Sequence, residues 1–160
     1  EIPTSIKRIE QYAFFNCTTL ETLYLHGGIE YIGYYAFRNN KLKSVVLGER
    51  TSVLEYGANP FYASTGYMTD AYVTDIKSWF LWKPNIFTNE NSVRNLYVNG
   101  ELLTEVVTPT DYDIVPDYAF NFNPHITSVT VTSAGSVTSI GLDTTLQMRG
   151  SSNQKILIFK

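Results

Sequence analysis

Few groups in this chain could do chemistry, and they are scattered. Its 160 residues hold one cysteine, Cys17, and two histidines, His26 and His125, far apart. Nucleophilic catalysis needs a nucleophile beside a base that a third group orients, and a zinc site needs clustered ligands. No Gly-x-Ser-x-Gly, His-Glu-x-x-His, Cys-x-x-Cys or glycine-rich phosphate loop occurs. Asp111, Asp113 and Asp117 could offer carboxylate oxygens to calcium. The glycine and distal glutamate of a calcium loop are missing, so a solvated turn is the better reading. Asn16-Cys17-Thr18 has the form of a glycosylation acceptor, a motif common by chance. A lone cysteine cannot make an internal disulfide. The expectation is a non-enzyme with no catalytic residue, no metal ligand and no cofactor.

Composition excludes two partner classes. The net charge is −3, so no basic field exists to hold nucleic acid or an anionic membrane. The densest apolar run, Trp79-Phe80-Leu81-Trp82, is far shorter than the ~20 residues that cross a bilayer. Charged residues are only 17%, against about a quarter in an average domain, while hydrophobic residues reach 44% and tyrosines number 12. That balance argues against a charged helical bundle and for strands and turns. A binding role remains, with a protein or glycan as partner and an oligomeric state the chain does not specify.

The residues that would position such a site recur. Tyr-Ala-Phe occurs at Tyr12-Ala13-Phe14, Tyr35-Ala36-Phe37 and Tyr118-Ala119-Phe120, with a degenerate copy at Asn59-Pro60-Phe61. Phe14 and Phe37 are 23 residues apart and Phe61 follows 24 later. Apolar or aromatic residues stand eight and five places before each Phe: Ile6 and Ile9, Ile29 and Ile32, Val53 and Tyr56, Tyr112 and Val115. Leu20, Leu23 and Leu25 follow Phe14 at the offsets at which Ile126, Val129 and Val131 follow Phe120. Leu42, Val45 and Leu47 repeat them one residue earlier.

Each copy reads as one coil of a solenoid, which needs coils above and below to bury its apolar edges. The Leu-x-Leu pieces have strand period, and the Ile-x-x-Ile-x-x-Tyr-Ala-Phe pieces have period three, suiting a 3₁₀-like or irregular arc. Phe14, Phe37, Phe61 and Phe120 should superpose as an internal column at strand spacing. Cys17, Asn40, Ser64 and Asn123, three places after each Phe, should form a polar ladder bonding backbone groups left unpaired by the bend. The outward strand positions form the candidate partner-binding face: Thr22, Tyr24, His26, Ser44, Val46, Ser128, Thr130 and Thr132, with Tyr72 and Tyr97 as additions. The bland alternative is that they coat an exposed sheet.

The run from Ile6 to Leu25, Ile-x-x-Ile-x-x-Tyr-Ala-Phe-x-x-Cys-x-x-Leu-x-x-Leu-x-Leu, resembles the BspA-type leucine-rich repeat. Asn95-Leu96-Tyr97-Val98-Asn99-Gly100-Glu101-Leu102 with Val107-Thr108-Pro109, and Ala71 to Ile76 with Trp79, are similar to stretches recurring in large bacterial members. The resemblance covers about residues 2–132. It implies a right-handed leucine-rich-repeat solenoid of about five coils, with a parallel β-sheet on one face and irregular or 3₁₀ segments on the other. It further implies a secreted or surface-displayed protein of host-associated bacteria or parasitic protists, acting in adhesion and binding matrix or plasma proteins. No catalytic motif comes with the family.

Residues 1–132 are thus expected to be the solenoid, with a long-loop coil and a hairpin at about 62–108. Within the loop, Trp79 and Trp82 are either a local side core, the favoured reading, or an exposed aromatic patch for a partner. Asn99-Gly100 is a strong hairpin signal, because a type I′ turn needs positive φ at both centres. Residues 133–160 lack Tyr-Ala-Phe and are read as a degenerate cap, or alternatively as the start of an immunoglobulin-like domain. The start at Glu1-Ile2-Pro3 falls where a preceding strand would end, so an uncapped edge and a longer parent protein are expected.

Overall fold

The computed structural model describes residues 1–64, 68–87, 93–112, 114–120 and 123–131 in full, and 139–140 and 156–159 as strand backbone. Asp113 and Thr132 lie outside the described residues, as does most of 133–160. The chain is a β-solenoid of about five turns with parallel sheets and little helix.

A coil opens with a two-residue strand: β1 (Arg8–Ile9), β3 (Tyr31–Ile32) and β5 (Glu55–Tyr56). It closes with a four-residue strand: β2 (Thr22–Leu25), β4 (Ser44–Leu47) and β6 (Asp70–Val73). The short strands pair in parallel as a narrow sheet in the order β1-β3-β5. The long ones build the main sheet with β7 (Asn95–Val98) and the antiparallel β8 (Glu101–Leu102), in the order β2-β4-β6-β7-β8. Then come β9 (Glu105–Val107), β10 (Ile114–Val115), β11 (Ser128–Val131), β12 (Ser139–Ile140) and β13 (Ile156–Phe159). β9, β11 and β13 form a third parallel sheet, and β10 pairs with β12.

The face opposite the main sheet is therefore more regular than its period of three predicts. The Tyr-Ala-Phe segments are runs of turns, and the 3₁₀ segment that forms, Pro84–Ile86, lies in the long coil instead. Successive turns are laddered through their backbones: the amides of Tyr12, Phe14 and Asn16 donate to the carbonyls of Tyr34, Ala36 and Arg38 at 3.1, 2.8 and 2.9 Å. Phe37 and Asn39 repeat this on Pro60 and Tyr62. Every second amide points along the solenoid axis because two residues per turn take positive φ. These are Tyr12 and Asn16 in the first turn, Tyr35 and Asn39 in the second, Asn59 and Ala63 in the third. Tyr118 continues the series.

Inside the coils, Phe14, Phe37 and Phe61 stack with centroids 5.1 and 5.0 Å apart and planes within 6° of parallel. The expected fourth ring, Phe120, does not follow. Phe87 takes that rung, 5.0 Å from Phe61, and Phe120 meets Phe80 edge-on at 5.8 Å. The long coil supplies its own aromatic to the column and pushes the next repeat one step along. Beside the column, Asn40 and Ser64 each donate to the carbonyl of the Phe in the preceding coil, Phe14 and Phe37, and Ser64 accepts from the Asn40 amide. Asn123 accepts from the amides of His125 and Ile126. Cys17 stands half-buried at the same offset in the first coil.

The sequence patterns predict no helix, yet the long coil contains α1 (Ile76–Leu81), capped by the Asp75 carboxylate, which accepts from the Ser78 amide at 2.7 Å. Six residues are too few to show a 3.6-residue period, so the helix leaves no trace in the apolar spacing. Trp79 and Trp82, offered above as an exposed patch in one reading, are buried at 1% and 0% exposure. That reading is corrected. Each indole N–H donates at 2.8 Å to a carbonyl of another coil, Trp79 to Ala119 and Trp82 to Gly48, so the rings fasten coils together. Arg50, also buried, lays its guanidinium 4.4 Å from the Trp82 ring and donates to the Ile29 and Ser52 carbonyls. Burial lowers its pKa to about 10, with Glu30 opposing the shift.

Candidate binding face

Strand alternation decides which side chains reach the surface. On β2, Leu23 and Leu25 point inward while Thr22 and Tyr24 point outward, and the parallel register carries that choice from coil to coil. Tyr24 aligns with Val46, Val46 with Tyr72, and Tyr72 with Tyr97. Leu102 of the hairpin strand lies opposite Tyr97 and extends the column. Tyr24 is 49% exposed, and the Tyr72 and Tyr97 rings stack at 4.6 Å with planes 9° apart. Burial, with Asp70 and Tyr97 adding, pushes the Tyr72 phenol upward.

A polar column runs alongside in the register Thr22, Ser44, Asp70, Asn95. The Thr22 and Ser44 hydroxyls are 2.9 Å apart. Asn95 donates to the Asp70 carboxylate at 2.6 Å, and its carbonyl oxygen lies 3.0 Å from His125 Nε2. This last contact links the main sheet to the coil that ends in β11.

The structure thus brings together Thr22, Tyr24, Ser44, Val46, Tyr72 and Tyr97. Ser128 and Thr130 lie on β11 in the third sheet, aligned with Glu105 and Val107. His26 stands past the end of β2: its Nδ1 accepts from the Gly28 amide and its Nε2 donates to the Pro3 carbonyl, so it braces a turn. Sequence reasoning missed Asp70, Asn95 and Leu102. The first two were findable, since each precedes a face tyrosine by two residues and so shares its side of the strand. The hairpin that carries Leu102 has the expected type I′ signs, with φ of 52° at Asn99 and 86° at Gly100.

Nothing in this arrangement is an activated nucleophile or a ligand cluster. Among the described residues no group of three or more His, Cys, Asp or Glu could hold a metal ion. Asp111 is paired with Lys77 at 2.5 Å, and that bond holds its carboxyl below its ordinary pKa. Among the described residues no helix is long and apolar enough to cross a membrane.

Compared with protein families, residues 1–78 match the model described as "BspA type Leucine rich repeat region (6 copies)". That stretch spans the stacked Phe14, Phe37 and Phe61 and the strands β1 to β6. Residues 1–78 are a BspA-type leucine-rich-repeat region. No curated protein and no solved structure matches the chain. BspA-type repeats form solenoid modules of protein interaction and are generally non-catalytic. The register of Tyr24, Val46, Tyr72 and Tyr97 begins within this BspA-type region and crosses beyond it, since β7 pairs with β6 as regularly as β6 with β4.

Proposed function

We propose that the chain is a non-catalytic binding module of a secreted or surface-displayed protein, engaging an adhesion partner through the outward face of β2, β4, β6 and β7. One observation carries this reading: Tyr24, Val46, Tyr72 and Tyr97 align in a continuous outward column that ends at Leu102. Tyrosine supplies amphipathic contact area at low entropic cost, and the neighbouring polar column offers hydrogen bonding at its rim. The parallel pairing of β12 and β13 with the coil before them supports residues 133–160 as a last coil, in preference to an immunoglobulin-like start.

Surface plasmon resonance against a panel of extracellular-matrix and plasma proteins tests the face. Tyr24→Ala and Tyr97→Ala should each weaken the observed interaction at least tenfold. Unchanged affinity in both variants removes the face from the proposal.

A second reading, a structural spacer within a larger surface protein, is favoured by the polar column. Thr22 with Ser44, and Asp70 with Asn95 and His125, satisfy one another and leave less for a partner. Absence of any saturable partner across the panel supports the spacer.

A further inference from the structure

The Tyr-Ala-Phe turns gather a second surface, built from other residues than the strands. Tyr34 and Tyr35 stack at 3.8 Å, Tyr35 and Tyr62 at 5.3 Å, and Tyr12 meets Phe15, Tyr34 and Tyr35 edge-on at 5.8, 5.7 and 6.0 Å. Arg38 sits among them, its guanidinium carbon 4.5 Å from the Tyr35 centroid, 5.2 Å from Tyr62 and 5.9 Å from Phe15. Tyr12, Phe15 and Tyr62 remain 46%, 41% and 44% exposed. Contiguous exposed aromatics on a folded surface ordinarily mark an interaction site.

Two features go beyond what the fold needs. Tyr12 and Tyr35 occupy left-handed backbone positions, which asparagine tolerates better, and Asn59 fills the equivalent place in the third turn. The coil closes with either residue there, as Tyr118 repeats the tyrosine elsewhere, and it is the mutual ring contacts of Tyr12, Tyr34, Tyr35 and Tyr62 that set this shelf apart. Arg38 has no carboxylate partner among the described residues; its Nε is buried without a hydrogen bond, so an external anion would have to meet the terminal Nη groups. An unpaired cation held between ring faces is poised for an external anion.

We propose that this shelf binds an acidic oligosaccharide, with sugar rings laid against the tyrosines and a sugar carboxylate taken by Arg38. A pyranose presents an apolar C–H face and a rim of hydroxyls, which matches flat rings carrying phenolic O–H groups. A guanidinium fork complements a carboxylate through two parallel hydrogen bonds.

Isothermal titration with a hyaluronan hexasaccharide and a hexagalacturonate, beside uncharged chitohexaose, tests the assignment. At least one acidic oligosaccharide should bind, at least tenfold more tightly than chitohexaose. Arg38→Gln should abolish that preference, and Tyr12→Asn and Tyr62→Ala should each weaken binding at least tenfold. Asparagine suits the backbone at position 12, so Tyr12→Asn should melt cooperatively like the parent and separate binding from folding. Ile114→Ala, exposed on β10 away from both faces, should leave the affinity unchanged. The proposal is overturned if neither acidic oligosaccharide binds, if Arg38→Gln and Tyr12→Asn leave binding intact, or if Ile114→Ala abolishes it.

Discussion

Tyr12 shows how a single side chain can be held against its own backbone preference. A left-handed conformation costs an L-residue about 1–2 kcal/mol, and edge-on ring contacts return about 0.5–1.5 kcal/mol each. The three contacts of Tyr12 return about 1.5–4.5 kcal/mol, at least offsetting the strain, so Tyr12→Asn should cost between nothing and about 3 kcal/mol in urea denaturation. A loss well above that would mean the Tyr12 ring is a structural prop. Phe37 is the opposite case, fully buried with a parallel ring 5.1 Å away on one side and 5.0 Å on the other. Phe37→Ala should cost about 3–5 kcal/mol, as for an aromatic removed from a packed core. The same urea titration measures it, and a near-neutral result would deny the column. The buried role of Phe37 could be read from spacing alone. The strain at Tyr12 could not, because backbone sign is set by the ladder between turns.

Among the elements, the turns after β2 and β4 approach most closely. A Cβ on Gly27 would lie 1.5 Å from the Glu49 carbonyl oxygen, a backbone atom that cannot swing aside. Gly27→Ala should therefore destabilise by at least about 1–3 kcal/mol, the usual range for overpacking. Gly100 makes the useful contrast, since nothing lies within 4 Å of its would-be Cβ and only its positive φ resists substitution. Thermal melts of the two alanine variants should place Gly27→Ala clearly below Gly100→Ala, and the reverse order would show that the coils can move apart. The long coil illustrates where pattern reading stops. Repeats reveal themselves by comparison with copies of themselves, and the segment holding α1 and Phe87 has no second copy. Its aromatics were visible as residues, but their places were decided by which gap between coils each ring could fill.

For the molecule as a whole, stability is a sum over coils and the contacts between them. The Lys77–Asp111 pair ties α1 to the turn before β10. Its carboxyl has a lowered folded pKa, so the pair contributes fully above the ordinary aspartate range and the contribution is lost as pH falls through the lowered value. Unfolding followed against pH should therefore show stability falling in acid, and Lys77→Ala should make that fall shallower. An identical acid limb in the variant would show that the pair adds nothing to the folded state.

The sequence by itself determined the coil, the inward and outward sides of its strands, the type I′ hairpin and the absence of a recognisable catalytic motif. All follow from local chemistry repeated at fixed intervals: alternate residues on a strand face opposite ways, and equivalent residues of stacked coils must meet. Only the tertiary structure decided that Phe87 takes the rung expected for Phe120. It alone decided that both tryptophans and Arg50 lie inside, and that Tyr12, Tyr35 and Tyr62 converge on Arg38. Those outcomes depend on how far successive coils shift and rotate against one another, a sum of many small contacts that no residue spacing encodes.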